Sequence, residues 1–114
     1  MQIFQVAESK AVSHSLDLNE LIVKHPAATF FVRVEDASHN ESGIQTGDTL
    51  VVDRALKPSP GKVVLAIVDG EFTLRKCVSS AKGVAFVPLV SQDKKHKSID
   101  CQIWGVVTFV IKAL

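Results

Sequence analysis

Tyrosine is absent from this 114-residue chain, tryptophan and methionine occur once each, and cysteine occurs only twice. The two cysteines, Cys77 and Cys101, are too far apart for CxxC spacing. That excludes a zinc ribbon and a thioredoxin-type redox motif. Both sit in apolar runs, so buried free thiols are expected rather than a disulfide. No apolar run reaches the roughly 18 residues that a membrane-spanning helix needs. The N-terminus, MQIFQVAESK, has neither a basic leader region nor an unbroken apolar stretch, and so does not read as a signal peptide. Charge of one sign is lacking too: 13 basic residues face 12 acidic ones, for a net charge of +1. Whole-chain charge therefore gives no argument for direct, sequence-specific nucleic-acid binding. The small basic cluster of Lys94, Lys95, His96 and Lys97 reads as a solvated loop. A reducing, cytoplasmic setting fits best.

Common catalytic devices are also missing. The histidines are His14, His25, His39 and His96, with no pair at i,i+4 and no HxH. No metal site and no cofactor is expected on that pattern. Gly43 and Gly47 lack the Lys-Ser/Thr ending of a phosphate-binding loop, and no GxSxG nucleophile elbow occurs.

What is present is a core and many strands. Hydrophobic residues make up 46% of the chain and charged ones 22%, enough apolar side chain to fold as a single domain. Residues 1 to 15 lack periodicity and read as an extended arm. In LDLNELIVKHP, Asp17 and Glu20 are spaced as a capping box, Leu18, Leu21 and Ile22 would share a helix face, and Pro26 ends the helix. Strands are then expected over 28–35, 49–53, 62–68, 71–78 and 83–90, with a last one from residue 102. Asp69-Gly70, set between two β-rich runs, marks a tight hairpin. Pro88 points to a sheet edge or a strand end. The last strand has Ile103, Val107, Phe109 and Ile111 on one alternating face and Trp104, Val106 and Val110 on the other, so it should be buried on both sides, either within the monomer or, on one side, by a second subunit. The sum is a compact, mostly β domain with strongly curved sheets and one short N-terminal helix.

One serine sits in an unusual setting. In VEDASHNESGIQTGDTLVVD, residues 34 to 53, Ser38 follows a strand and opens a long polar bend. A serine can attack a carbonyl only if a base removes its proton. A lysine can serve when burial makes it neutral, and the hairpin strand EFTLRKCV offers Arg75 and Lys76.

From about Leu16 to the C-terminus the chain resembles the self-cleaving, S24-like peptidase family of LexA repressors and UmuD mutagenesis proteins. The blocks that carry the likeness are DLNELIVKHPAATFFV, GIQTGDTLVVD, VDGEFTLRK and WGVVTFVIKAL. The resemblance implies a curved β domain of the LexA and signal-peptidase type over residues 16–114. The family's Gly-Asp-Ser-Met around the nucleophile is matched here by Asp36, Ala37, Ser38 and His39, so only the serine is kept. The family's general-base lysine falls at Arg75. A guanidinium has a pKa above about 12 and is never deprotonated in a protein, so Arg75 can donate to Ser38 but cannot take its proton. Lys76 is the substitute, but successive strand residues point to opposite faces, and it would need a bulge to reach the serine.

UmuD proteins lose an arm at a Cys-Gly or Ala-Gly bond. This chain contains neither pair and starts near where the processed form, UmuD′, starts. The expectation is therefore a degenerate peptidase that works as a binding partner. The resemblance implies a homodimer that joins a UmuC-like Y-family polymerase in translesion synthesis during the bacterial SOS response, in contact with RecA filaments. Production of the short form directly would suit a phage or plasmid copy. Two other readings follow from the same residues. One is a Ser38–Lys76 peptidase. The other is a LexA-like regulatory dimerisation domain, which has too few residues before Leu16 for a helix-turn-helix.

Overall fold

The computed structural model describes residues 1–5, 18–35, 42–89 and 101–114. Seven strands form one curved antiparallel sheet: β1 (Gln2–Gln5), β2 (Thr29–Arg33), β3 (Thr49–Asp53), β4 (Val63–Val68), β5 (Glu71–Ser80), β6 (Gly83–Pro88) and β7 (Gln102–Ile111). Their spatial order is β1-β2-β3-β7-β4-β5-β6, and β1 and β6 are the two edges. A short helix, α1 (Leu18–Ile22), and a 3-10 turn at Pro26–Ala28 precede β2. The mostly β expectation, with one short N-terminal helix, holds.

The hairpin between β4 and β5 closes as its sequence requires. Asp69 and Gly70 have φ of +51° and +78°, the left-handed pair that a two-residue turn needs. Pro88 is both the last residue of β6 and on an edge strand, where its missing N–H costs no ladder bond. The start of the N-terminal arm is extended and pairs with β2, from Gln2↔Arg33 to Gln5↔Phe30. That pairing follows from the free edge of β2, not from anything local in QIFQ.

The main core lies on one side of the sheet. It gathers Val32, Val34, Ile44, Leu50, Val52, Leu65, Leu89 and Val107, with Leu74, Phe72 and Trp104 packed against it. On the other side a smaller cluster joins Ile22 and Val23 to Val51 and Phe31. Burying those two helix-end side chains stabilises the docking of α1 by about 2 kcal/mol each.

Three expectations need correction. Leu18 and Leu21 do not share a buried face with Ile22; both are exposed, and the helix docks through Ile22 and the following Val23. At five residues α1 is too short for an amphipathic stripe to develop. The proposed cap, Asp17, lies outside the described residues. Second, β7 does not alternate cleanly. Its register shifts against β4 around Trp104 and against β3 around Thr108. Each extra residue reverses the alternation beyond it. Val107 and Val110 therefore pair with Val52 and Leu50 on the main-core side, while Ile103, Val106, Phe109 and Ile111 fall on the other. Third, both cysteines are free, but only Cys77 is buried; Cys101 is half-buried at the start of β7.

Candidate functional site

β5 carries the two residues that the sequence offers as a base, and the strand separates them. Arg75 lies opposite Val64 of β4 and Pro88 of β6, and is 3% exposed. Lys76 lies opposite Val63 and Val87 and is exposed. The pairing between β4 and β5 runs without a shift from Val63↔Lys76 to Val68↔Glu71, so no bulge turns Lys76 toward the Arg75 side.

Buried apolar side chains share the side of the sheet that carries Arg75. Val64, Cys77 and Val106 are all buried along the same side of β4, β5 and β7. Burial pushes the Cys77 thiol up from its ordinary value, a sign of how poorly this side of the sheet solvates charge. An amine at position 75 would be driven toward neutrality by the same burial. A guanidinium resists that drive and stays cationic.

Ser38, with Asp36, Ala37 and His39, lies outside the described residues, as do the basic cluster at 94–97 and His14. The ends of the Ser38 loop are described, and they are tied together. Val34 N–H donates to the Asp48 carbonyl at 2.9 Å, and Gly47 N–H donates to the Val34 carbonyl at 2.8 Å. Gly47, with φ of +93°, makes the return bend that permits this closure.

A charged tether holds the same neck. Lys112, just past β7, donates from Nζ to the carboxylate of Asp48 and to the Gly43 carbonyl. The Gln45 N–H donates to the same carboxylate at 2.8 Å. Burial of Asp48 would raise its pKa, but the Lys112 hydrogen bond, the Gln45 N–H and the Lys112 charge together hold it below its ordinary 3.8. Sequence reasoning missed this tether. In the sequence Asp48 only follows Gly47 at the start of an apolar run, and nothing local connects it to a lysine 64 residues later.

A second unforeseen pair fixes the entry to β2. His25 Nδ1 lies 2.6 Å from the buried Asp53 carboxylate, whose other oxygen accepts from the Ala55 N–H. No cluster of three His, Cys, Asp or Glu side chains able to hold a metal occurs among the described residues. No helix among them is long and apolar enough to cross a membrane.

A curved antiparallel sheet, a long loop pinched at its neck between β2 and β3, and a hairpin strand bearing a buried cation define a mostly β domain of the LexA and UmuD type. The chain belongs to the peptidase S24-like family, which it matches over residues 2–110. It is 44% identical over 99 residues to the protein ImpA of Escherichia coli, covering 84% of this chain and 67% of that one. Protein MucA of Escherichia coli is 38% identical over 98 residues, covering 82% and 66%. The LexA repressor of Clostridium perfringens is 28% identical over 94 residues and matches over 45% of its own length.

Proposed function

We propose that this chain is a UmuD′-like, non-catalytic accessory subunit of a Y-family translesion DNA polymerase in SOS mutagenesis. It acts as a cytoplasmic homodimer, joined to a UmuC-like polymerase and in contact with the RecA filament, and it uses no cofactor. Membership of the S24-like family and the likeness to ImpA and MucA support the setting. The observation that carries the non-catalytic part is Arg75, a buried permanent cation at the position that the resemblance assigns to the general base. Ser38 is then a kept but idle nucleophile.

Apolar surface supports the dimer. Phe109, Val110 and Ile111 are each about two-fifths exposed at the end of β7, with Leu114 beyond them. Three consecutive large apolar side chains in water, alternating across both faces of a strand, are the kind of patch that a partner subunit covers. The competing reading, a Ser38–Lys76 peptidase, places the base on an exposed lysine, on the opposite side of an unbulged strand from Arg75.

The test is genetic. A Ser38→Ala variant, expressed with a UmuC-like polymerase in a strain lacking its own UmuD, should support damage-induced mutagenesis as well as the parent chain does. Loss of mutagenesis in a variant that still folds and dimerises would overturn the proposal.

A further inference from the structure

Arg54 is an exposed arginine held in one place. It follows the last residue of β3, and its backbone N–H donates to the Ala28 carbonyl at 2.8 Å. Its side chain folds back across the sheet. Nε–H donates to the Trp104 carbonyl at 2.8 Å, and the guanidinium carbon lies 4.4 Å from the centre of the Trp104 ring. Phe30 and Phe72 meet the same indole edge-on, at centroid distances of 5.0 and 5.6 Å. Gly105 leaves room for the arrangement, since a Cβ there would stand 3.2 Å from Arg54 Cγ.

These contacts use Nε and one face of the guanidinium. The two Nη groups make no hydrogen bond or ion pair among the described residues. An arginine ordinarily loses much rotamer freedom when it binds, and here that freedom is already spent. What remains, among the described residues, is a planar two-nitrogen fork on an exposed side chain, beside the partly buried rings of Trp104, Phe30 and Phe72. Trp and Arg together are the residues that dominate the centres of protein interfaces.

We propose that Arg54 and Trp104 form a docking point for an acidic, partly apolar peptide segment of a partner protein. A carboxylate of the segment accepts both Nη groups of Arg54, and an adjacent apolar side chain packs on the Trp104–Phe72 ledge. A carboxylate is favoured over a nucleic-acid phosphate by charge: one fork suits one carboxylate, whereas a phosphate backbone is followed by a stripe of cations on a basic chain, and this chain is near neutral. The proposal stands on this local geometry alone and does not depend on the polymerase reading.

Trp104 is the only tryptophan and there is no tyrosine, so ultraviolet-excited emission reports directly on this site. The full chain is titrated with a short capped peptide alternating Asp and Leu, with its Asn/Leu counterpart, and with oligothymidylate, following Trp104 emission and binding heat. The acidic peptide should give a saturable change in both, and the amide peptide should not. Arg54→Gln should weaken binding about tenfold or more with the melting temperature retained. Arg54→Lys keeps the charge but loses the fork and should fall between the two. Absence of saturable binding, equal binding of the amide peptide, undiminished binding by both variants, or binding of oligothymidylate in place of the acidic peptide would each overturn the proposal.

Discussion

Arg75 and Lys76 are neighbours in β5 and lie on opposite sides of the sheet, the first buried against Val64 and Cys77, the second in solvent. The proposed loss of catalysis follows from that relationship. The buried side chain of the pair is a guanidinium, which holds its proton, and the amine lies on the exposed side. Local alternation thus separates the two candidate bases.

The Asp48–Lys112 tether makes the neck of the Ser38 loop sensitive to acid. The Asp48 carboxyl binds fewer protons folded than unfolded, because its folded value is depressed. Its contribution is therefore fully present above about pH 4 and is lost as pH falls through the folded value. Asp48→Asn should flatten this part of the acid limb in urea unfolding between neutral pH and about pH 3. Lys112→Met should cost about 1–2 kcal/mol at neutral pH, a modest figure because Lys112 is half in water. An unchanged acid limb in Asp48→Asn would show that the tether does not act in solution.

Gly105 should tolerate no side chain. A Cβ at this position would come within 2.5 Å of Val52 Cγ1, in the middle of the main core. Gly105→Ala should destabilise the fold by about 1–3 kcal/mol through forced repacking. Thermal unfolding measures this directly, and a melting temperature equal to the parent's would mean that β7 shifts freely at its bulge.

The exposed end of β7 should govern self-association. Phe109→Asp or Ile111→Asp places a charge in the apolar patch without touching the buried core. Sedimentation should show a shift from dimer to monomer with the circular dichroism spectrum retained. Dimers that survive both changes would place the interface elsewhere.

The contrast between β4–β5 and β7 shows how much was legible in the sequence. The β4–β5 hairpin is local: Asp69-Gly70 sets its turn, and unbroken alternation puts Arg75 and Lys76 on opposite sides. β7 has the same apolar content, yet its two bulges appear only when β3 and β4 pair with it on either side, and so simple alternation does not give its faces. The same limit applies to the site. Ser38 and Arg75 are visible by position within a resemblance, whereas the Asp48–Lys112 and His25–Asp53 links join residues that only the folded sheet brings together. α1 misled for a different reason: at one turn and a half, helix spacing carries little information, and docking through Val23 overrides it.

The most direct measurement is the intact mass of the purified chain after incubation at about pH 10, where an ordinary lysine is roughly a quarter neutral and an arginine is not, alone and with a UmuD-type arm supplied in trans. The parent chain should remain whole and leave the arm uncut, identically to Ser38→Ala. Arg75→Lys alone should not restore efficient cleavage either, because Asp36, Ala37 and His39 have also replaced the residues around the serine. A cut by the parent chain that depends on Ser38, grows with pH and disappears in Lys76→Ala would contradict the account.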